Sequence, residues 1–308
     1  MSGKVLVTGA GGCIGAWAMK LLLDGGRDAV AFDLSDDRRR LELLYDNPKD
    51  AQAAVWECGD IGDTARVAEV FAKHKPAQVI HLAALQVPFC RDDPVGGARV
   101  NVVGSINVFE SALANGCRQI AYASSVAAVA MGEDSPFLET LYGAYKYCNE
   151  QTARVYWRDC RLPSIGVRPN VVYGPARDQG MSSAPTKAMA AAVLGQSYTV
   201  PFGGAVGFVY AREAAEVFIR AAKAAEKGAP VYDLNGESKT VAEVLDMIRE
   251  RFPKAQINSE GGALPFPADL DDAPLFDHIG GGRMPFAEGF ARTMDFFARR
   301  AQEGRLRQ

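Results

Sequence analysis

Short wholly apolar runs alternate along this chain with segments whose apolar residues recur at helical spacing. Val5, Leu6 and Val7 form the first run, as expected of a strand buried on both faces. Thr8 and Gly9 end it, and Ile14, Trp17, Ala18, Leu21 and Leu22 then fall on one side of a helix. The pattern repeats with strands over Ala29 to Phe32, Ala53 to Trp56, Gln78 to Leu82, Ile120 to Ser124 and Ser164 to Arg168. Between them it predicts helices over Thr64 to Lys73 and Pro94 to Gly116, and a third that starts near Tyr142 and runs towards Cys160. Alternation at this spacing predicts an α/β fold built on a doubly wound parallel sheet.

Past Gly174-Pro175 the texture changes. Short helices (Ala184 to Leu194, Arg212 to Lys227, Val241 to Phe252, Phe286 to Arg300) alternate with brief strands and with Gly/Pro loops at Pro201 to Gly204 and Gly261 to Pro267. This divides the chain into a sheet domain, residues 1–174, and a smaller C-terminal α/β lobe, 175–308, that closes over the sheet edge to form a substrate pocket. The arginine-rich C-terminal tail is expected to be a frayed helix end, and Arg38, Arg39 and Arg40 the solvated face of a helix.

Composition narrows the function classes. A formal net charge of -3 over 308 residues argues against an electrostatic nucleic-acid binder. No apolar run approaches the ~18 residues that span a bilayer. The first strand begins too early to leave room for a signal peptide, and the six scattered cysteines lack a CxxC pair, so a cytoplasmic protein with reduced thiols is expected. The three histidines are far apart and show no metal-ligand spacing, so no metal site is expected.

The candidate chemistry gathers at the ends of the strands. Gly9, Gly12 and Gly15 form a glycine turn between strand and helix, where bare backbone and an open helix N-terminus suit a diphosphate. Asp33 ends the second strand about twenty residues on, where a carboxylate can hold a ribose and repel a 2′-phosphate, which predicts NAD rather than NADP. Asp33, Asp60, Ala83, Ser125 and Pro169 all stand at carboxyl ends of predicted strands, where ligands sit on such sheets. Tyr142 and Lys146, four apart, share a helix face. An adjacent ammonium and an oxidised nicotinamide would favour the phenolate, so Tyr142 could take a proton from a substrate alcohol. Ser125 or Ser124 would polarise the same oxygen.

Together these residues resemble the extended branch of the short-chain dehydrogenase/reductase superfamily, the NAD-dependent epimerases, dehydratases and dehydrogenases, over essentially the whole chain. Thr8 to Gly15 is similar to the branch's TGxxGxxG turn, which places Cys13 and Ile14 with the glycines against the cofactor. Asp60-Ile61 resembles the adenine-contacting pair, and His81-Leu82-Ala83-Ala84 the nicotinamide-side strand end. Asn101 to Gly104 resembles a helix segment that supports the site, with Asn101 counted among the cofactor residues. Tyr142 and Lys146 match the catalytic pair, and Arg168-Pro169 through Gly174-Pro175 the RPxxVYGP stretch. The resemblance implies a Rossmann-type domain, bound NAD, Ser125 as the catalytic hydroxyl, and a homodimer through the two long helices.

The departures from that pattern bear on substrate. Val126 and Ala127 stand where dehydratases carry an Asp-Glu pair, so dehydration is not expected. Val171, with Asn170 one position earlier, replaces the asparagine that binds a nucleotide diphosphate, and Val206 replaces its arginine. Charge-assisted bonds worth roughly 1.5–3 kcal/mol each would then be missing. The expected substrate is a small free sugar, sugar acid or polyol, oxidised at a secondary alcohol, with Gln86, Asn170 and Arg177 as further contacts; Arg177 could hold a carboxylate. An epimerase working by transient oxidation, and a catalytically silent NAD-binding regulator, are the alternatives.

Overall fold

The computed structural model describes residues 3–132 and 135–306. In chain order the first half comprises β1 (Val5–Thr8), α1 (Cys13–Asp24), β2 (Ala29–Asp33), α2 (Arg39–Leu44), β3 (Val55–Cys58), α3 (Thr64–His74), β4 (Gln78–His81), α4 (Val87–Asp92), α5 (Pro94–Ala98), α6 (Gly104–Ala114), β5 (Gln119–Ala123), α7 (Leu141–Cys160) and β6 (Ser164–Pro169). The second half comprises β7 (Val171–Tyr173), α8 (Ala184–Leu194), β8 (Tyr198–Val200), β9 (Ala205–Tyr210), α9 (Ala211–Lys223), β10 (Val231–Leu234), β11 (Glu237–Thr240), α10 (Val241–Arg251), β12 (Ile257–Ser259), α11 (Ala273–Ile279) and α12 (Phe286–Gln302).

The central sheet has seven strands in the order β10-β6-β5-β4-β1-β2-β3, every neighbouring pair parallel. Its inner strands read as unbroken apolar runs because both faces are covered. Leu6, Val30, Val79 and Ile120 point to one face and pack with Val67 and Phe71 of α3 and Phe109 of α6. Val5, Val7, Ala31, Ile80 and Ala121 point to the other, with Trp17 and Leu22 of α1 and Phe218 of α9. Strand order reverses between β1 and β4, which opens a crevice at their carboxyl ends. Two small sheets, β11-β9-β7 and β12-β8, build the second lobe.

The second half of the chain does not stay apart from the first. β10 returns to extend the central sheet beside β6, and α9 covers the same face as α1. β3 starts two residues later than its pattern suggested, because Pro48–Ala53 forms a 3-10 turn capped by Asn47. The long helix expected from Pro94 is interrupted: a π turn over Arg99–Val103 separates α5 from α6. At its centre Asn101 turns its side chain back to the Gly97 carbonyl, and Ser105 donates to the Asn101 carbonyl.

Both basic clusters depart from expectation. The tail of α12 is docked, not frayed. Arg300 is wholly buried and donates to the carbonyls of Leu43 at 2.9 Å and Tyr45 at 3.0 Å, while Arg305 reaches the carbonyls of Glu42 and Tyr45. These guanidinium groups satisfy carbonyls left open at the end of α2, a tertiary cause that helix periodicity does not carry. Of the other trio only Arg39 is a solvated residue. Arg38 donates to the carbonyls of Ala51 and Ala54 and stacks over Trp56, and Arg40 donates to the Gly11 carbonyl at 2.7 Å.

Candidate active site

The crevice holds a cavity of about 590 Å³, open along one side, that runs from Asp33 past the glycine turn to Tyr142 and Arg177. Its floor is set by close backbone approach. Gly9 adopts φ +70°, and a Cβ there would stand 2.6 Å from the amide nitrogen of Ala83. A Cβ on Gly15 would stand only 2.1 Å from the Gly9 carbonyl oxygen. Side chains at these points would thus collide with backbone. Helix α1 starts at Cys13 with Gly12 as a cap that offers no side chain, so its first amides face the cavity uncapped. That cradle and the carboxylate at its far end fit a dinucleotide diphosphate and ribose.

Asp33 Oδ2 accepts the Gly11 amide at 2.8 Å and Oδ1 the Leu34 amide at 2.7 Å, which aims the carboxylate along the wall. The arginines nearby are committed elsewhere: Arg38 to Asp36, Arg39 to Asp37 and Arg40 to Asp178. Asp60 accepts the Gly62 amide at 2.8 Å, and Ile61 lies beside it. Leu82, Ala83 and Ala84 leave β4 along the same wall, and Pro169 closes it from β6.

Beneath β4 and β1, His81 is buried between Thr8 and Ser105. Nδ1 stands 2.7 Å from Thr8 Oγ1 and Nε2 3.0 Å from Ser105 Oγ. Because the Ser105 hydroxyl is spent on the Asn101 carbonyl, the network assigns the imidazole proton to Nε2. Burial, helped by the Lys146 charge, holds this imidazole neutral, its pKa down to about 3.

Thr140 caps α7 through the Gly143 amide, and this starts the helix one residue before Tyr142. Tyr142, Lys146 and Glu150 then follow one another down a single face. The Ser125 hydroxyl lies close enough to the Tyr142 phenol to oppose the rise of its pKa, and Ser125 Oγ accepts the Ala127 amide at 3.2 Å. Lys146 Nζ lies 5.7 Å from the Tyr142 ring centre and donates to the Ala123 carbonyl at 2.7 Å. Burial lowers the Lys146 pKa to about 8, with Cys90 and Glu150 opposing the shift. The expected depression of the phenol does not hold for the protein on its own. Burial pushes Tyr142 up, and the Ser125 hydroxyl and the Arg177 charge only oppose it.

Both serines line the cavity, but Ser124 is buried and its hydroxyl is donated to Glu150, whereas Ser125 is only part-buried. Gln86 and Arg177 line the cavity near Tyr142. Two expected contacts fall differently. Asn101 lies behind the wall, its amide given to the carbonyls of Leu85 and Gly97 and to Cys90 Sγ. Asn170 lines the cavity, but its Nδ2 is spent on Asn235 and the Pro267 carbonyl and its Oδ1 on the Val171 amide. The Nδ2 group of each is thus spent within the protein, while Asn101 Oδ1 is buried without a partner. Sequence reasoning missed Arg40, Asp178 and Ser182 in the lining. Arg40 was hidden in a charge run, and Ser182 follows a Gly180 whose φ of +91° only the fold reveals.

No helix among the described residues is long and apolar enough to cross a membrane, and no cluster of His, Cys, Asp or Glu among them is arranged to hold a metal.

A seven-stranded parallel sheet with a glycine turn at its switch point defines a Rossmann-type dinucleotide-binding protein, and the paired tyrosine and lysine narrow the class to short-chain dehydrogenases/reductases. Residues 5–235 match the model of the NAD dependent epimerase/dehydratase family, and the chain belongs to that family. The UDP-glucose 4-epimerase of Rhizobium leguminosarum bv. trifolii is 30% identical over 278 residues, covering 81% of this chain and 83% of its own. The crystal structure of the Thermus thermophilus UDP-glucose 4-epimerase in complex with NAD superposes with a TM-score of 0.79 at 25% identity, covering 96% of this chain and 98% of that one. An L-threonine dehydrogenase from Clostridium difficile shares the fold at TM-score 0.84 and 21% identity, over 99% of both chains. The cofactor is NAD.

Proposed function

We propose that this enzyme transfers a hydride between NAD and a secondary alcohol of a small carbohydrate-like substrate (a free sugar, sugar acid or polyol), with net oxidation or its reverse. The observation that carries the reading is the convergence of Tyr142, Ser125 and Lys146 on one cavity continuous with the glycine turn. Bound NAD supplies the hydride acceptor. Tyr142 Oη takes the hydroxyl proton while Ser125 Oγ holds the same oxygen, and the Lys146 ammonium steadies the phenolate. Gly9, Gly12, Cys13, Ile14 and Gly15 receive the diphosphate, Asp33 the adenosine ribose, and Asp60 with Ile61 the adenine. Leu82, Ala83, Ala84 and Pro169 enclose the nicotinamide end.

The small substrate is supported by how little the second lobe adds to the cavity. Past Ser182 it contributes only Pro265 and Phe266 among the described residues. Val206, at the place of a diphosphate-binding arginine, is buried in β9 and absent from the lining. L-Threonine dehydrogenases on the same fold are named for a small substrate without a nucleotide.

The second reading is an epimerase that oxidises, turns the ketone and reduces it again on retained NAD. It is favoured by the relatives named UDP-glucose 4-epimerase, and the same three residues would serve it. Exposed Ile106, Leu113, Tyr147 and Val155 on α6 and α7 support a homodimer through those helices. Six free cysteines accord with a cytoplasmic location. The division at residues 174/175 is proposed as a functional one; β10, from the second part of the chain, joins the central sheet beside β6. The test is incubation with excess NAD and a panel of sugars, sugar acids, polyols and sugar nucleotides, followed by NADH absorbance. Sustained NADH formation with one non-nucleotide compound supports the proposal; turnover confined to sugar nucleotides overturns it.

A further inference from the structure

We infer that Arg177, with Gln86 and Ser182, forms an oxyanion subsite that holds a carboxylate of the substrate beside Tyr142. The inference rests on the hydride-transfer reading above and narrows its substrate to hydroxy acids.

Arg177 is delivered to the cavity by an unusual turn. Ala176, buried and not glycine, adopts φ +71°, a left-handed conformation that costs energy in any residue with a Cβ. The guanidinium that follows is a cation without a counter-ion. Among the described residues no carboxylate lies within 4.0 Å of it, because its neighbour Asp178 is paired to Arg40 at 2.7 Å. Its Nη2 donates to Ser182 Oγ at 3.1 Å, and its Nε–H is fully buried with no acceptor. A part-buried charge with a buried open donor is completed by an anion.

Gly180 lets the Gln86 amide pack beside the guanidinium. Gly180 adopts φ +91°, and a Cβ there would stand 1.9 Å from Gln86 Oε1 and 3.4 Å from Arg177 Nη2. Any side chain at 180 would therefore displace the Gln86 amide from its place beside the guanidinium. Gln86 is the N-cap residue of α4, yet its side chain makes no cap bond. A planar carboxylate accepts two parallel bonds from a guanidinium fork, which fits one arginine flanked by neutral donors.

An oxyanion could also come from the cofactor diphosphate, since the Arg177 charge reaches Cys13 in the glycine turn as well as Tyr142. One observation favours the substrate: the diphosphate already has the uncapped start of α1.

The test measures binding and turnover separately. Wild type, Arg177→Gln and Arg177→Lys, each loaded with NADH, are titrated calorimetrically with D-glucuronate, D-gluconate and D-erythronate and with the matched neutral compounds D-glucose, D-glucitol and erythritol. NADH formation is followed in parallel with NAD. In wild type at least one acid is expected to bind about 100-fold better than its neutral partner, as a buried charge pair requires. Arg177→Gln should reduce that ratio to within about threefold of unity, Arg177→Lys should keep part of it, and NAD affinity should move less than about threefold in both. Acid binding with this ratio but without NADH would leave the subsite standing and overturn the hydride-transfer reading. Neutral compounds oxidised as well as acids would do the reverse. An Arg177→Gln variant that loses NAD affinity while keeping the acid preference would assign the guanidinium to the diphosphate and overturn the inference, as would an absence of acid binding throughout.

Discussion

Arg168 at the end of β6 grips Glu150 on α7 through two parallel bonds, Nε to Oε1 and Nη2 to Oε2, each 2.7 Å. Ser124 donates to the same carboxylate. Glu150 stands one turn below Lys146, so this pair locks the helix that carries Tyr142 and Lys146 to the strand that ends in Pro169 and to the segment that presents Ser125. Glu150→Ala would strip the part-buried Arg168 guanidinium of its two-bonded partner and leave it only Asp233, 3.5 Å away. We expect a stability loss of about 3–5 kcal/mol in urea unfolding. A loss below about 1 kcal/mol would mean that the pair contributes no more than a surface bridge.

Tyr142→Phe removes the proton acceptor and leaves the glycine turn intact. Turnover should fall by about 10²–10⁴, while NAD affinity by fluorescence titration stays within about threefold. Burial raises the Tyr142 pKa in the free protein, so the base form gains population as pH rises. Alcohol oxidation by the wild type should therefore climb with pH and ketone reduction should fall. An oxidation rate that declines with rising pH would count against Tyr142 as the base.

Gly15→Ala places a methyl group 2.1 Å from a backbone oxygen that cannot swing aside. The turn must open to accept it. The expected result is a variant with NAD binding weakened about tenfold or more and a lower melting temperature, since overpacking costs roughly 1–3 kcal/mol. Unchanged NAD affinity would show that the glycine turn does not carry the cofactor.

Glu213, on α9, is a buried carboxyl whose pKa is pushed up to about 7 by burial, the nearby Asp272 adding to the shift. Its Oε1 accepts the Met284 amide at 2.9 Å and its Oε2 is buried without a partner. Between the ordinary value of 4.5 and about 7 the folded chain holds a proton that the unfolded chain has lost. Stability must then decline as pH rises through that window. Glu213→Gln, neutral throughout, should remove the decline, which amounts to about 3 kcal/mol by linkage. Parallel pH profiles for the two proteins would refute this.

Most of the fold was legible because the central strands are buried on both faces and so carry no polar interruptions, as Val5 to Val7 illustrates. The glycine turn, Asp33 and the Tyr142–Lys146 spacing were legible because their reasons are local: a positive φ, a strand end, one helix turn. Arg300 was not, since its partners are carbonyls more than two hundred residues away in sequence. The π turn at Asn101 and the closed hydrogen bonding of Asn170 were hidden for the same reason. Asn101 Nδ2 reaches the Leu85 carbonyl and Asn170 Nδ2 reaches Asn235 and the Pro267 carbonyl, partners that only the folded chain brings near.

The central claim is net hydride transfer rather than its return to the same substrate. The direct measurement is the fate of deuterium placed on the carbinol carbon of the compound turned over with excess NAD. The account predicts deuterium in NADH, accumulating over many equivalents per active site. Deuterium retained on the sugar carbon, with inverted configuration and no more than about one equivalent of NADH per site, would contradict it and establish the epimerase.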